Sequence, residues 1–276
     1  MEKELSIIIP VGNDLRVGDC LDSIQREIKN HNLEVLVVED QCGSEVHDVI
    51  SSYTEKIPLN ILSPTRSKHI GRLRNTAIKR SNSPIYYFID SDCILLPGAI
   101  EEAIKSGEHH PVTRGYIEFK GDSKIAQIDA MIRQSRYDSD RSIAYCPNLV
   151  VQKNVFDTIG MFKEDYEYGS DGEFAKRLRE QGISLSYNPN MRVIHNGPAS
   201  SRRVIRTWIK YGEGRKRRFR DSSVREKIKA LITPNLFDIK KGPAYNLLFL
   251  GCLAARWYGW SKVYIQEGWK KRRFIK

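Results

Sequence analysis

The 276-residue sequence has no Cys-x-x-Cys pair, no apolar run of bilayer length, no internal repeat and no low-complexity linker. Each absence removes a class of protein. The five cysteines, Cys20, Cys42, Cys93, Cys146 and Cys252, are scattered and odd in number, so they cannot close into a complete disulfide set and point to a reducing compartment. The opening MEKELSIIIP lacks the basic lead and small-residue cleavage site of a signal peptide, which argues for a cytoplasmic protein. From Ala244 the chain reads AYNLLFLGCLAARWYGW, with about a dozen mainly apolar residues before Arg256 against roughly 20 needed to cross a bilayer. A re-entrant, interfacial or buried helix remains there.

Acidic residues are scarce at one end only. The formal net charge is +11, but residues 1–200 carry 24 Lys+Arg and 29 Asp+Glu, a balance of −5, whereas 201–276 carry 21 and 5, a balance of +16. Two parts are therefore expected: a slightly acidic domain over 1–200 and a basic, partly apolar helical tail over 201–276. With 40% hydrophobic and 29% charged residues, the chain suffices for one large α/β core with an appendage.

Short, β-branched apolar runs at Leu5–Pro10 and Leu33–Val38 read as strands covered on both faces, and Asp19–Ile28 between them places Cys20, Leu21, Ile24 and Ile28 on one helical stripe. The alternation continues with a weak strand at Leu59–Leu62, a helix over His69–Arg80 and a strand at Ile85–Ile89. Such alternation predicts a mostly parallel, doubly wound sheet flanked by helices. Farther on, the pattern predicts helices over 98–107, Lys124–Tyr137, Val155–Ile159 and Gly172–Gln181, with strands at Tyr116–Phe119, Leu149–Val151, Ile183–Tyr187 and Arg192–Ile194.

Polar residues end the first strands: Gly12, Asn13 and Asp14 after the first, Glu39 and Asp40 after the second, Asp90-Ser91-Asp92 after Ile85–Ile89. In open α/β sheets ligands collect at the carboxyl ends of strands, so these groups would converge on one edge. Two carboxylates two residues apart can hold a hard cation together, or form a turn that caps the next helix.

In this order, LSIIIP, VLVVEDQCGS, RLRNTAIKRSNSPIYYFIDSDCILLPGAI and VFDTIGMFKEDYEYGSDGEFAKRLREQGISLSYNPNMRVIHN resemble family 2 glycosyltransferases of the GT-A fold over residues 4–197. The resemblance implies a Rossmann-like GT-A domain and transfer of a sugar from a nucleotide-diphospho-sugar, UDP-sugar first, with a divalent cation, Mn²⁺ or Mg²⁺. It implies that Pro10 and the following loop line the nucleotide, that Asp40 faces the base, and that Asp90 sits near the ribose. Asp92 would hold the metal on the diphosphate, with His195 as a further ligand; an isolated His after a strand is otherwise a hydrogen-bonded loop residue. Arg72 and Arg74 would contact donor phosphate or base, or lie on a solvated helix face. In the Tyr168–Phe174 block, Asp171 matches the general base of an inverting transfer, or else caps a helix, and Ser170 stands where the family usually has Glu. Glu173 would orient the acceptor or only favour the helix N-terminus.

Over 202–211 the basic amphipathic pattern puts Val204, Ile205, Trp208 and Ile209 on one stripe among Arg202, Arg203, Arg206 and Lys210. Either this stripe packs on the catalytic domain, or residues 201–276 lie on an anionic membrane surface at the inner face, where a glycan or lipid-linked acceptor is met. Two other classes compete. A sugar-phosphate nucleotidyltransferase would need a Gly-rich phosphate loop after the first strand, where only Gly12 stands. A nucleic-acid-binding protein acting through the basic tail is disfavoured by the net acidic first 200 residues and their lack of zinc-finger or RNA-binding aromatic spacing.

Overall fold

The computed structural model describes residues 3–28, 31–64, 69–166, 169–197, 200–218 and 243–273; Tyr168 and, within the expected 201–276 tail, residues 219–242 and 274–276 lie outside them. Two compact units divide the chain, one comprising Met1–Glu118, Asp140–Asp165 and Ser170–Asn196, the other Phe119–Ser139, Tyr166–Gly169 and Gly197–Lys276.

The apolar runs become β1 (Leu5–Val11), β2 (Leu33–Glu39), β3 (Leu59–Leu62) and β4 (Ile85–Phe88). They run parallel in the order β3-β2-β1-β4. Every residue of β1 and β4 is buried, as expected of strands covered on both faces. The helices α1 (Val17–Glu27), α2 (Ser44–Ser51) and α3 (Ile70–Arg80) make the parallel crossovers. Registers Ile8↔Leu36 and Ile8↔Phe88 align the carboxyl ends of β2, β1 and β4.

The sheet then turns antiparallel. After β5 (Cys93–Leu95) and α4 (Ala99–His109) come β6 (Val112–Lys120), α5 (Lys124–Ser139), β7 (Leu149–Gln152), α6 (Lys153–Ile159), α7 (Ser170–Glu180) and β8 (Leu185–Asn196). The eight strands form one mixed sheet, β3-β2-β1-β4-β7-β6-β8-β5. A single strand, β8, replaces the two expected at Ile183–Tyr187 and Arg192–Ile194. Pro189, which has no N–H, would ordinarily end a strand; here β5 pairs only with Val193, Ile194 and His195, so Pro189 lies on a stretch that β5 does not reach. The strand expected at Tyr116–Phe119 starts earlier, at Val112, because Val112, Thr113 and Arg114 pair with β7.

Four rings, Phe88 of β4, Phe156 of α6, Phe162 and Phe174 of α7, pack together under the sheet, with Phe162 and Phe174 centroids 4.8 Å apart and Phe88 and Phe162 5.3 Å apart. This cluster seats the start of α7 beside the end of β4. α3 comes equally close: a Cβ on Gly71 would run into the Lys163 carbonyl, so only glycine fits there.

In the second unit α8 (Ser201–Arg218) and α9 (Pro243–Arg273) pack with α5. Of the stripe expected on α8, Val204 and Trp208 point inward, while Ile205 is 47% exposed. The α9 residues Tyr245, Phe249, Cys252 and Arg256 recur at helical spacing and are all buried, whereas Leu247, Leu250, Trp257 and Tyr258 stay exposed. Among the described residues no helix is long and apolar enough to cross a membrane.

The core of this unit holds a charge. Asp129 on α5 is fully buried; its Oδ1 accepts from Trp208 Nε1 at 2.7 Å and its Oδ2 lies 2.8 Å from Arg133 Nε. Removing one partner of a buried pair strands the other charge without compensation. Asp129→Ala is therefore expected to cost about 3–5 kcal/mol in the second unit, read by tryptophan fluorescence during denaturant unfolding. A loss within about 1 kcal/mol of a surface substitution would remove the pair from the account of its stability.

Candidate functional site

The loop after β1 and the turn after β2 are tied together. Asp40 N–H donates to the Val11 carbonyl at 2.7 Å, and Gly43 N–H donates to Asn13 Oδ1 at 3.0 Å. Gln41 between them takes a left-handed φ of 54°, which tightens the turn and sets Asp40 at the sheet edge beside the end of β1. Pro10, opposite Val38 in the register, lies at the same end. The Cys42 thiol donates to the Gly12 carbonyl at 3.3 Å.

Asp90 and Asp92 follow β4, and their environments differ. Arg74, on α3, is 3% exposed; its Nη2 donates to Asp90 Oδ1 at 3.0 Å and its Nη1 to Ser170 Oγ at 3.3 Å. Burial works against the Arg74 charge, yet its pKa is raised, because Cys146, Asp90 and Asp171 surround it. Burial keeps the Cys146 thiol protonated at neutral pH, so the two carboxylates supply the stabilising charge. Asp90 is itself raised, first by burial and against the pull of Arg74, with Asp92 adding repulsion.

Asp92 turns the other way. Its Oδ1 lies 3.6 Å from His195 Nε2 and its Oδ2 3.4 Å from Arg16 Nη2. His195 reaches this point because β8 pairs His195 with Cys93, the first residue of β5 and the one after Asp92. The ligand atoms of Asp92, Cys93 and His195 all lie within 4.8 Å of one another. The carboxylate and the imidazole fit a divalent cation such as Mn²⁺, whereas burial pushes the Cys93 thiol well above its ordinary pKa and so keeps it protonated.

Asp171, second residue of α7, keeps a partly exposed carboxylate whose Oδ1 accepts from the Gly172 N–H at 2.7 Å, and its charge acts on Arg74. Glu173 is committed elsewhere. Its two oxygens accept from Arg177 Nε and Nη2 at 2.9 Å each, and Arg177 in turn donates to the carbonyls of Ile159, Gly160 and Met161, so the pair clasps α7 to the end of α6. Arg72 is half exposed and its Nε donates to Glu164 Oε2 at 3.2 Å. The hydrogen bond from Asn75, aided by Arg72, holds Glu164 below the ordinary carboxylate range against partial desolvation.

The structure thus gathers Pro10, Asp40, Asp90, Asp92, Arg74 and His195 at one end of the parallel strands, and joins Ser170 to them through Arg74. Arg72 and Glu173 lie in separate ion pairs. Arg16 escaped sequence reasoning, although the Asp14-x-Arg16 spacing just after a strand was an available signal.

Comparison with known proteins places this geometry. Glycosyltransferase AglE of Haloferax volcanii is 26% identical over 193 residues, 66% of this chain and 64% of AglE. Poly(ribitol-phosphate) beta-N-acetylglucosaminyltransferase TarS of Staphylococcus aureus is 25% identical over 121 residues, 43% of this chain and 21% of TarS. The chain therefore spans less than two thirds of either relative. Among solved structures, the mannosyltransferase PcManGT from Pyrobaculum calidifontis, in complex with GDP-Man and Mn²⁺, shares the fold with a TM-score of 0.62 at 15% identity, covering 96% of this chain and 76% of that one. Residues 6–159, more than half of the chain, match the family model described as Glycosyl transferase family 2, and to that family the chain belongs.

Proposed function

We propose that the protein is an inverting glycosyltransferase that moves a sugar from a nucleotide-diphospho-sugar to a hydroxyl of a glycan or lipid-linked acceptor. The observation that carries the reading is the convergence of Asp92, His195, Asp90 and Arg74 at the carboxyl end of β4, on one edge with the loops after β1 and β2. Pro10 and the β1 loop line the nucleotide, Asp40 faces the base and Asp90 the ribose. Arg74, spent on Asp90 and Ser170, acts as a positioning residue, while Arg72, exposed at the start of α3, is the donor contact in this reading. UDP-sugars are the first donors to test; the GDP-Man and Mn²⁺ of the mannosyltransferase of similar fold support a nucleotide sugar and a divalent cation in general terms.

Asp92 and His195 are the residues to hold the cation. A divalent cation bound there would neutralise the diphosphate and stabilise it as leaving group. Asp171 removes the proton from the acceptor hydroxyl; that oxygen bonds to the anomeric carbon as the bond to the diphosphate breaks, and the nucleoside diphosphate departs with the bonding electrons. Glu173 contributes by holding α7, and with it Asp171, through Arg177.

Residues 1–200 form the catalytic part in this reading and 201–276 a membrane-associating tail at the inner face. Its support is an apolar groove of about 640 Å³ over α5, α8 and α9, lined by Ile125, Ile128, Ile205, Ile209, Leu247 and Leu248 among others, with Arg202, Arg203 and Arg206 exposed on α8. Apolar side chains flanked by arginines suit an anionic leaflet.

Nucleotide release from a panel of UDP-, GDP- and dTDP-sugars, with Mn²⁺ or Mg²⁺, tests the donor, and the anomeric configuration of the product tests inversion. Asp171→Ala is expected to lower turnover about 10²- to 10⁴-fold with the fold retained by circular dichroism, and Asp92→Ala to abolish cation-stimulated turnover. Wild-type rates from either variant would strip that residue of its role.

Binding to phosphatidylglycerol vesicles tests the tail. Arg203→Gln with Arg206→Gln should weaken it about thirty-fold, at about 1 kcal/mol per charge, and Leu247→Glu should weaken it at every salt concentration. Equal binding to neutral phosphatidylcholine vesicles, or indifference to these changes, would count against an anionic leaflet.

A further inference from the structure

Arg16 is the one permanently charged group besides Arg74 paired with Asp90 or Asp92 among the described residues, and it is more firmly held than its partial exposure suggests. It stands at the N-terminal boundary of α1. Asp14 Oδ1 accepts from its backbone N–H at 3.1 Å and from its Nε at 2.9 Å, and Asp14 Oδ2 accepts from Nη2 at 2.6 Å. On the far side Nη1 donates to the carbonyl of Asn196, the residue after His195, at 2.8 Å. The fork is thereby clamped between the β1 loop and the end of β8, and its remaining edge faces Asp92 Oδ2 at the longer distance of 3.4 Å.

The same carboxylate therefore has two claimants. Asp92 Oδ1 and His195 Nε2, 3.6 Å apart, can share a cation at bond lengths of about 2.1 Å without moving the backbone. A cation there would sit a few ångströms from a guanidinium that its Asp14 clamp prevents from retreating. Four acids (Asp14, Asp90, Asp92, Asp171) and two arginines (Arg16, Arg74) give the cluster a formal charge of −2. A divalent cation would neutralise it as a whole but set two positive groups side by side at Asp92. That arrangement is unfavourable alone and favourable once a diphosphate lies across both.

We infer that Arg16 couples cation binding to donor binding: it opposes the divalent cation at Asp92 while no nucleotide is bound, and joins that cation in holding the diphosphate when it is. The inference rests on the donor reading above and adds the residue that makes cation and nucleotide cooperative. Because coupling is reciprocal, the nucleotide must tighten the cation by the factor with which the cation tightens the nucleotide.

The test measures Mn²⁺ affinity by the electron paramagnetic resonance signal of free Mn²⁺, alone and with saturating UDP, GDP or dTDP, in wild type, Arg16→Gln and Arg16→Lys. In wild type the effective nucleotide should tighten Mn²⁺ by about five-fold or more. Arg16→Gln should bind Mn²⁺ alone roughly two- to five-fold more tightly, the size of a partly exposed charge interaction, and lose most of the tightening by nucleotide. Arg16→Lys, which keeps the charge but not the fork, should bind Mn²⁺ alone as weakly as wild type and show reduced coupling.

Wild-type values in Arg16→Gln for both quantities overturn the inference, as does a weaker grip on Mn²⁺ alone. Should circular dichroism show Arg16→Gln unfolded, Arg16→Lys decides: unchanged coupling there also overturns it. If wild type binds none of the three diphosphates in the presence of Mn²⁺, the donor reading itself falls and takes this inference with it. If wild type binds one and the Arg16 variants match it, only the role of Arg16 falls.

Discussion

A single buried guanidinium holds the first unit's chemistry in register. Arg74 comes from α3, Asp90 from the end of β4 and Ser170 from the start of α7, so one planar group fixes three elements with respect to each other. Burying a charge is costly unless it is paired, and the pairing here uses donors that point along fixed directions. A lysine would keep the charge and lose the geometry. The Phe162 ring, 5.6 Å from the guanidinium carbon, covers its face and links it to the aromatic cluster beneath the sheet. Ser170 matters in this setting: a hydroxyl at that position leaves Asp90 as the one carboxylate hydrogen-bonded to Arg74, whereas the acid usual in the family would compete for it.

The two units answer the same problem, a buried charge, in different ways. In the first, Arg74 is offset by acids that lie next to the strand ends where a ligand would gather. In the second, Asp129 is offset by Arg133 and the indole of Trp208 deep among helices. Nearby Arg256 on α9 has its pKa pushed down to about 10, by burial first and by Arg136 next. Charge in the second unit therefore serves packing on the inside and leaves the arginines of α8 outward.

The parallel half of the fold was legible because its strands are short β-branched runs and its helices carry one apolar stripe each. Within that half α2 was the exception, because it buries only Val46 and Ile50 and shows too little periodicity. The antiparallel half was less legible: β5 is three residues long and follows directly on an acidic turn. The Asn188-Pro189-Asn190 stretch of β8 reads as a turn in isolation, although it lies within the strand on a stretch that β5 does not reach. At the site, Asp90, Asp92 and His195 were visible as residues after strands. Which of Arg72 and Arg74 is buried was not, since the same helix carries both and only the packing of α7 and β4 decides it. The Asp14 clamp of Arg16 is local and could have been read from the Asp14-x-Arg16 spacing, but its other clamp, a backbone carbonyl 180 positions away, could not.

The turn after β2 has a practical corollary. Of the five thiols, four are buried and Cys42 alone is partly open, at the very corner where the β1 and β2 loops are tied together. Its pKa is raised, by burial first and then by Glu39, so at neutral pH it is a slow nucleophile, sheltered from casual oxidation. As the one partly open thiol it is a natural single attachment point for an environment-sensitive dye, labelled more slowly than an ordinary cysteine. The native chain would then report optically on its own sheet edge without any cysteine being removed or introduced.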